Sequence, residues 1–276
     1  MACGQKPASP TTEVSRTGLP APISKASWDI PLLEQSIERR FRQFAVPVAL
    51  LIAWIIAHAG FARMLMRTGL SMWIHELGHA VAAWMCGRFA FPGPWFTPVG
   101  RERSLFVLLV VAVAIGFSAY RLWSTRNWWA VVVVLLLPLQ AIGSFALSAH
   151  RADTVIIWAG DGGCMIIGTL LLLSFYARES SSLRRGWLRW GFLVIGAAAF
   201  ADAFATWWAA RTDRDVIPFG ENEGRGQSDP TVLVFQQGFS IPGLVNSFVW
   251  TGVLCLAVLA MAYVLGLRRN PIPDES

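Results

Sequence analysis

Between about residues 45 and 267 the chain is a succession of long apolar runs separated by short polar or Gly/Pro-rich joints. Runs at about 45–61, 70–86, 104–120, 127–147, 154–176, 187–209 and 244–267 approach the length needed to cross a bilayer as helices. The pattern predicts an all-α polytopic membrane protein of six to seven transmembrane helices, with an integral membrane domain over 45–267. The runs at 104–120 and 127–147 are featureless except for Pro138 and Gln140 and read as scaffold. Before the first run, Leu33, Ile37, Phe41 and Phe44 recur opposite Glu34, Glu38, Arg39 and Arg42, which predicts an amphipathic helix over 27–44 lying at the membrane surface. Residues 1–26, rich in Pro, Ser, Thr and Gly without periodicity, predict a disordered tail, and 268–276 a short C-terminal tail.

Two joints are long. Gly87 to Gly100 holds three Pro and three Gly among aromatic residues. It is expected to be non-helical, either a re-entrant loop beside the preceding helix or a tight interfacial turn. The other, about 210–243, carries Asp213, Asp215, Glu221, Glu223 and Asp229 and a β-prone run Thr231 to Phe235. A loop of this length acts as a lid or a docking surface, or is disordered.

Composition supports the membrane reading, since 55% hydrophobic and 14% charged residues are outside the range of an ordinary soluble domain. Many of the 14 Trp stand at run ends, where their rings suit the headgroup level. The net charge of +6 comes from Arg scattered through short joints, so the bilayer rather than nucleic acid is the expected partner. Cys3, Cys86, Cys164 and Cys255 show no C-x-x-C spacing and predict neither a disulfide framework nor a thiolate metal site. The Met-Ala-Cys start lacks the apolar stretch of a signal peptide, so the first apolar run should stay as an anchor. The expected location is a cell membrane, the inner membrane in a bacterium.

The chemistry concentrates in the run 70–86, which contains His75-Glu76-Leu77-Gly78-His79. Helical residues four apart share a face, so His75 and His79 can offer imidazole nitrogens to one Zn²⁺ while Glu76 serves as general base. Two buried His in ordinary helix–helix hydrogen bonds would be the bland alternative. Yet three ionisable side chains within five residues of an apolar run are costly enough to need a reason. A catalytic zinc needs a third protein ligand. Within apolar runs the other acids are Asp161 and Asp202, with His58, His150 and Asp153 near run ends. Asp161 is the first candidate because Gly160, Gly162 and Gly163 surround it and would loosen the helix; Asp202 is the second, or a partner of a ligand.

These residues carry a resemblance. His75-Glu76-Leu77-Gly78-His79-Ala80 in a membrane segment, the Gly/Pro/aromatic stretch after it and the later Asp161-Gly162-Gly163 resemble the site-2 protease family of intramembrane zinc metalloproteases. The resemblance implies Zn²⁺ on His75, His79 and Asp161, Glu76 as catalytic base, and a membrane-protein substrate cut in or near a transmembrane segment. The sequence departs from the family where Ala159-Gly160 replaces an apolar residue, and in having two runs rather than one between the motifs. Two other readings stay in view. A gluzincin-like protease of prenylated proteins would need a helical Glu, whereas Glu102, Glu179, Glu221, Glu223 and Glu275 fall in joints or the tail. A non-catalytic scaffold or metal-handling transporter would spread its polar residues along a path instead of gathering them at one point.

Overall fold

The computed structural model describes residues 44–124, 129–176, 187–222 and 226–269, all within one compact unit, Phe41–Ser276. Apart from Phe44 and residues 268 and 269, the two expected tails and the surface helix over 27–44 lie outside the described residues.

The first two apolar runs do not form two straight spans. Helix α1 (Phe44–Ala57) turns sharply, by 119°, into a second helical rod, Gly60–Met85. That rod comprises α2 (Gly60–Met66), a π-helical turn (Arg67–Ser71) and α3 (Met72–Met85). Next come α4 (Leu105–Ser124), α5 (Trp129–Val134), α6 (Leu136–Ala141), α7 (Ala149–Ser174) and α8 (Leu188–Ala209). The short α9 (Asp229–Phe235) and the long α10 (Ile241–Arg269) complete the helices. Among the described residues four helices, α4, α7, α8 and α10, are long and apolar enough to cross a membrane, or five spans with the bent pair taken as one. This is the architecture of a helical membrane protein with fewer straight spans than the six to seven expected. The run at 127–147 is interrupted for an identifiable reason. Pro138 has no N–H for the carbonyl of Val134, and α5 ends at Val134.

Small residues bring the central helices together. A Cβ on Gly78 of α3 would lie 2.1 Å from the carbonyl oxygen of Ala159 on α7, and one on Gly163 would lie 2.6 Å from the Cα of Gly78. The two backbones therefore touch, as small residues permit in membrane helix packing. The Ala159 to Cys164 stretch, expected to loosen its helix, instead runs inside an unbroken α7 capped by Ser148, whose side chain accepts from Arg151 N at 3.3 Å. On the far side of α7, α8 buries Ala197, Ala198, Ala199, Ala201, Ala203 and Ala205. Fully buried Phe200 and Trp207 of α8 and Phe248 of α10 close the core, with the Trp207 and Phe248 rings stacked at 4.2 Å.

The Gly/Pro joint is a β-hairpin. Gly87 turns out of α3 at φ +72, a conformation a glycine adopts without strain. Strands β1 (Arg88–Ala90) and β2 (Val99–Arg103) then pair antiparallel, Arg88 with Arg103 and Ala90 with Val99, across an irregular register. Trp84 Nε1 donates to Ala90 O at 3.0 Å, and Thr97 Oγ1 donates to the carbonyl of Glu76 at 2.9 Å, so the hairpin loop lies along α3. The long joint 210–243 is also structured, by a 3₁₀ turn (Arg214–Val216), a two-residue ladder of β3 (Glu221–Asn222) with β4 (Gly226–Gln227), and α9. The β-prone run Thr231 to Phe235 is helical here. Ser228 occupies the N-cap in extended conformation, Pro230 stands in the first turn, and Leu233 is buried against the core, so local start signals and packing override strand propensity.

Candidate metal centre

His75 and His79 stand one turn apart on the face of α3 that meets α7, with their rings edge to face at 4.8 Å. Gly160 leaves them room, since a Cβ there would lie 2.5 Å from His75 Cε1 and 2.7 Å from His79 Cε1. Each ring is oriented by a bond on its Nδ1. His79 Nδ1 donates to the carbonyl of Ile156 at 2.7 Å, and His75 Nδ1 donates to Asp161 Oδ1 at 3.1 Å. The other Asp161 oxygen accepts from the Trp207 indole at 2.8 Å. Because a carbonyl and a carboxylate only accept, both Nδ1 atoms carry the proton, and both Nε2 atoms present lone pairs in the neutral rings.

Those two Nε2 atoms are 3.2 Å apart, and Asp229 Oδ2 lies 3.0 Å from that of His75 and 3.1 Å from that of His79. Three electron-pair donors therefore converge on one point that only positive charge can hold, whether protons or a metal ion. Tetrahedral zinc bonds of about 2.0–2.1 Å place ligand atoms about 3.3 Å apart, close to the spacing seen. The donor set, two imidazoles and a carboxylate, suits zinc. Among the described residues this is the one group of three whose ligand atoms all lie within 4.8 Å of one another.

Asp161, expected as the third ligand, is brought to the site but to the other side of the imidazole. The continuous helix α7 holds its carboxylate at Nδ1 of His75, while the carboxylate beside both Nε2 atoms belongs to Asp229 at the start of α9. Asp202 is elsewhere. It is buried on α8, 3.6 Å from Arg63 Nε and 3.8 Å from Arg67 Nη1. His58 is exposed, donating to Trp54 O at 2.8 Å, and Asp153 accepts from Arg88. Exposed His150 opens α7, with its carbonyl accepting from Thr154. Of the acids a gluzincin would use, Glu102 is exposed on β2 and Glu221 on β3; Glu179, Glu223 and Glu275 lie outside the described residues.

A cavity of about 400 Å³ opens onto the cluster, lined by His75, Glu76 and His79 of α3, Trp95 and Thr97 of the hairpin loop, and Asp229 and Pro230 of α9. Asp229 is fixed by its surroundings. Thr231 Oγ1 accepts from Gly220 N at 2.9 Å and bonds Ser228 Oγ at 2.8 Å, and Thr154 Oγ1 lies in hydrogen-bond contact with the Gln237 side chain at 2.6 Å. Burial alone would raise the pKa of Asp229, but when the imidazoles are protonated, the positive charge at His79 and the Nε2–H bonds from both rings outweigh it and hold the carboxyl below the usual carboxylate range. The sequence did carry a sign of this element, because Ser228-Asp229-Pro230 is a helix start, with a capping residue and a first-turn proline. What it did not carry was the distance from Asp229 to residues some 150 positions earlier.

No protein-family model, curated protein or solved structure matches this chain.

Proposed function

We propose that this protein is a membrane-embedded zinc metallopeptidase that hydrolyses peptide bonds in or next to the transmembrane segments of membrane proteins, with His75, His79 and Asp229 as zinc ligands. The observation that carries this reading is the convergence of three electron-pair donors, each imidazole fixed from behind, on one wall of a cavity that Glu76 also lines. Zinc held there would polarise a carbonyl and lower the pKa of water. Glu76 takes a proton from the attacking water and returns it to the leaving amine. Asp161 and the Ile156 carbonyl orient the imidazoles, a role partners of zinc-bound His commonly have. In this reading the resemblance to site-2 proteases rests on the H-E-x-x-H helix, with Asp229 in the place that the family pattern assigned to Asp161. Gathering at one point also favours a hydrolase over a transporter, whose polar groups would line a path.

Metal analysis of the purified protein tests the reading. About one Zn²⁺ per chain is expected, lost in the His75→Ala/His79→Ala double variant and weakened at least tenfold in Asp229→Ala. Full occupancy in the double variant would end the proposal. Glu76→Gln should retain the metal and lose peptide hydrolysis, because an amide of the same shape cannot act as base.

A further inference from the structure

Three arginines that line the cavity, Arg67, Arg88 and Arg101, have no task in that scheme. Arg67 opens the π-helical turn that precedes α3, and its side chain lines the same cavity as His75, Glu76 and Asp229. Single π-helical turns within α-helices often mark functional positions, because the extra residue re-aims the side chains before it. Among the described residues, the one carboxylate within ion-pair distance of Arg67 is Asp202, at 3.8 Å, which is beyond hydrogen-bond reach. Asp202 is shared with Arg63, which also donates to Thr206 Oγ1 at 2.8 Å. Two guanidinium groups thus share one carboxylate, and neither approaches it within hydrogen-bond distance. Arg63 does not line the cavity and Arg67 does. Of the other two arginines, Arg88 is buried and already donates to Asp153 and to Ala149 O, and Arg101 stands exposed on β2.

We propose that Arg67 is a catalytic residue that donates to the carbonyl oxygen of the scissile peptide and stabilises the negative charge that develops there. This rests on the peptidase reading given above. The choice of a carbonyl over a fixed anion follows from the walls. Glu76, Asp161 and Asp229 would repel a substrate carboxylate, whereas a peptide carbonyl is neutral on entry and becomes anionic only during reaction. As the water oxygen forms its bond to the carbonyl carbon, the C=O π pair moves onto the oxygen facing Arg67 and the water proton goes to Glu76. When that pair re-forms the C=O bond, the C–N bond breaks and Glu76 returns the proton to the amine nitrogen. An always-charged planar fork with free donors suits this better than a lysine would.

Two probes read the assignment without turnover, on full-length protein loaded with Co²⁺, whose visible absorption reports ligand binding. A phosphinic peptide carries a tetrahedral anion that imitates the reacting carbon and its oxygen, while the matching hydroxamate chelates the metal without one. Arg67→Gln should keep the Co²⁺ stoichiometry, weaken the phosphinic peptide about 100-fold and leave the hydroxamate within about threefold. Arg67→Lys, which preserves the charge beside Asp202, should show a smaller loss of the same selectivity and serves if the Gln variant does not fold. Arg63→Gln, which disturbs the same Asp202 pair from outside the cavity, should leave both affinities unchanged. Equal losses for the two probes, no loss for either, or an Arg63→Gln effect as large as that of Arg67→Gln overturns the assignment. Failure of the wild-type protein to take up Co²⁺ overturns the metal reading beneath it instead, and the assignment falls with it.

Discussion

Helices α4 and α8 are both candidate spans of similar length, yet only 11% of the apolar window of α4 is buried inside the protein against 72% of that of α8. The more hydrophobic of the two is the less buried. Helix α4 presents Phe106, Val113 and Phe117 outward, whereas α8 is a ladder of Ala and Gly broken by Asp202, Phe200 and Trp207. In a bilayer, lipid tails are as apolar as Leu, so hydrophobicity favours insertion without choosing neighbours, and close packing falls to helices whose small residues let backbones meet. The same division locates the chemistry except for Asp229, which α9 supplies. His75, Glu76, His79, Asp161 and Asp202 all lie on the helices joined by small residues, α3, α7 and α8, while the exposed α4 carries Arg121 near its end and no acid.

Substitutions that reverse this division test it, beginning with the contact of α3 and α7. Gly78→Val or Gly163→Val would drive a side chain into backbone at 2.1 or 2.6 Å, and loss of folded protein, read by size exclusion and thermal unfolding in detergent, is the expected result. Val113→Ala on exposed α4 should leave both measurements unchanged; a comparable loss there would break the comparison.

Acids within the packed region should separate next. Asp161→Asn replaces the carboxylate that orients His75 with an amide and should weaken metal binding about 10–100-fold by competition titration. Asp202→Asn should leave metal affinity intact while lowering thermal stability, because Arg63 and Arg67 lose the buried carboxylate they share. If Asp202→Asn weakened the metal as much as Asp161→Asn, the two carboxylates would not have the separate roles seen here.

The smallest effect is expected at the tether of α9. Thr231→Val removes the hydroxyl that accepts from Gly220 N and bonds Ser228, costing about 1–3 kcal/mol, with at most a modest loss of metal affinity through Asp229. Thermal unfolding and the same metal titration, done side by side, check it.

Much of this molecule is local and therefore legible in its sequence. Apolar run length marked the helices that can enter a membrane, and the fourfold spacing of His75 and His79 placed two imidazoles on one helical face, because both follow from the rise and turn of a helix. Likewise, three Pro and three Gly excluded a helix after Cys86, although not which non-helical form would appear. Tertiary structure decided what depends on two distant segments meeting. The 119° turn after α1 reduced the straight spans, since run length carries no information on whether a rod continues or folds back. The glycines around Asp161 belonged to helix packing rather than to unwinding, a difference visible only once Gly78 lies against Gly163. The carboxylate beside the imidazoles came from an acid-rich joint, because α9 is held near its start by Gly220, beyond its end by Thr154 and along its length by the core under Leu233, and the direction of a side chain across space is set by such contacts and not by its neighbours in the chain.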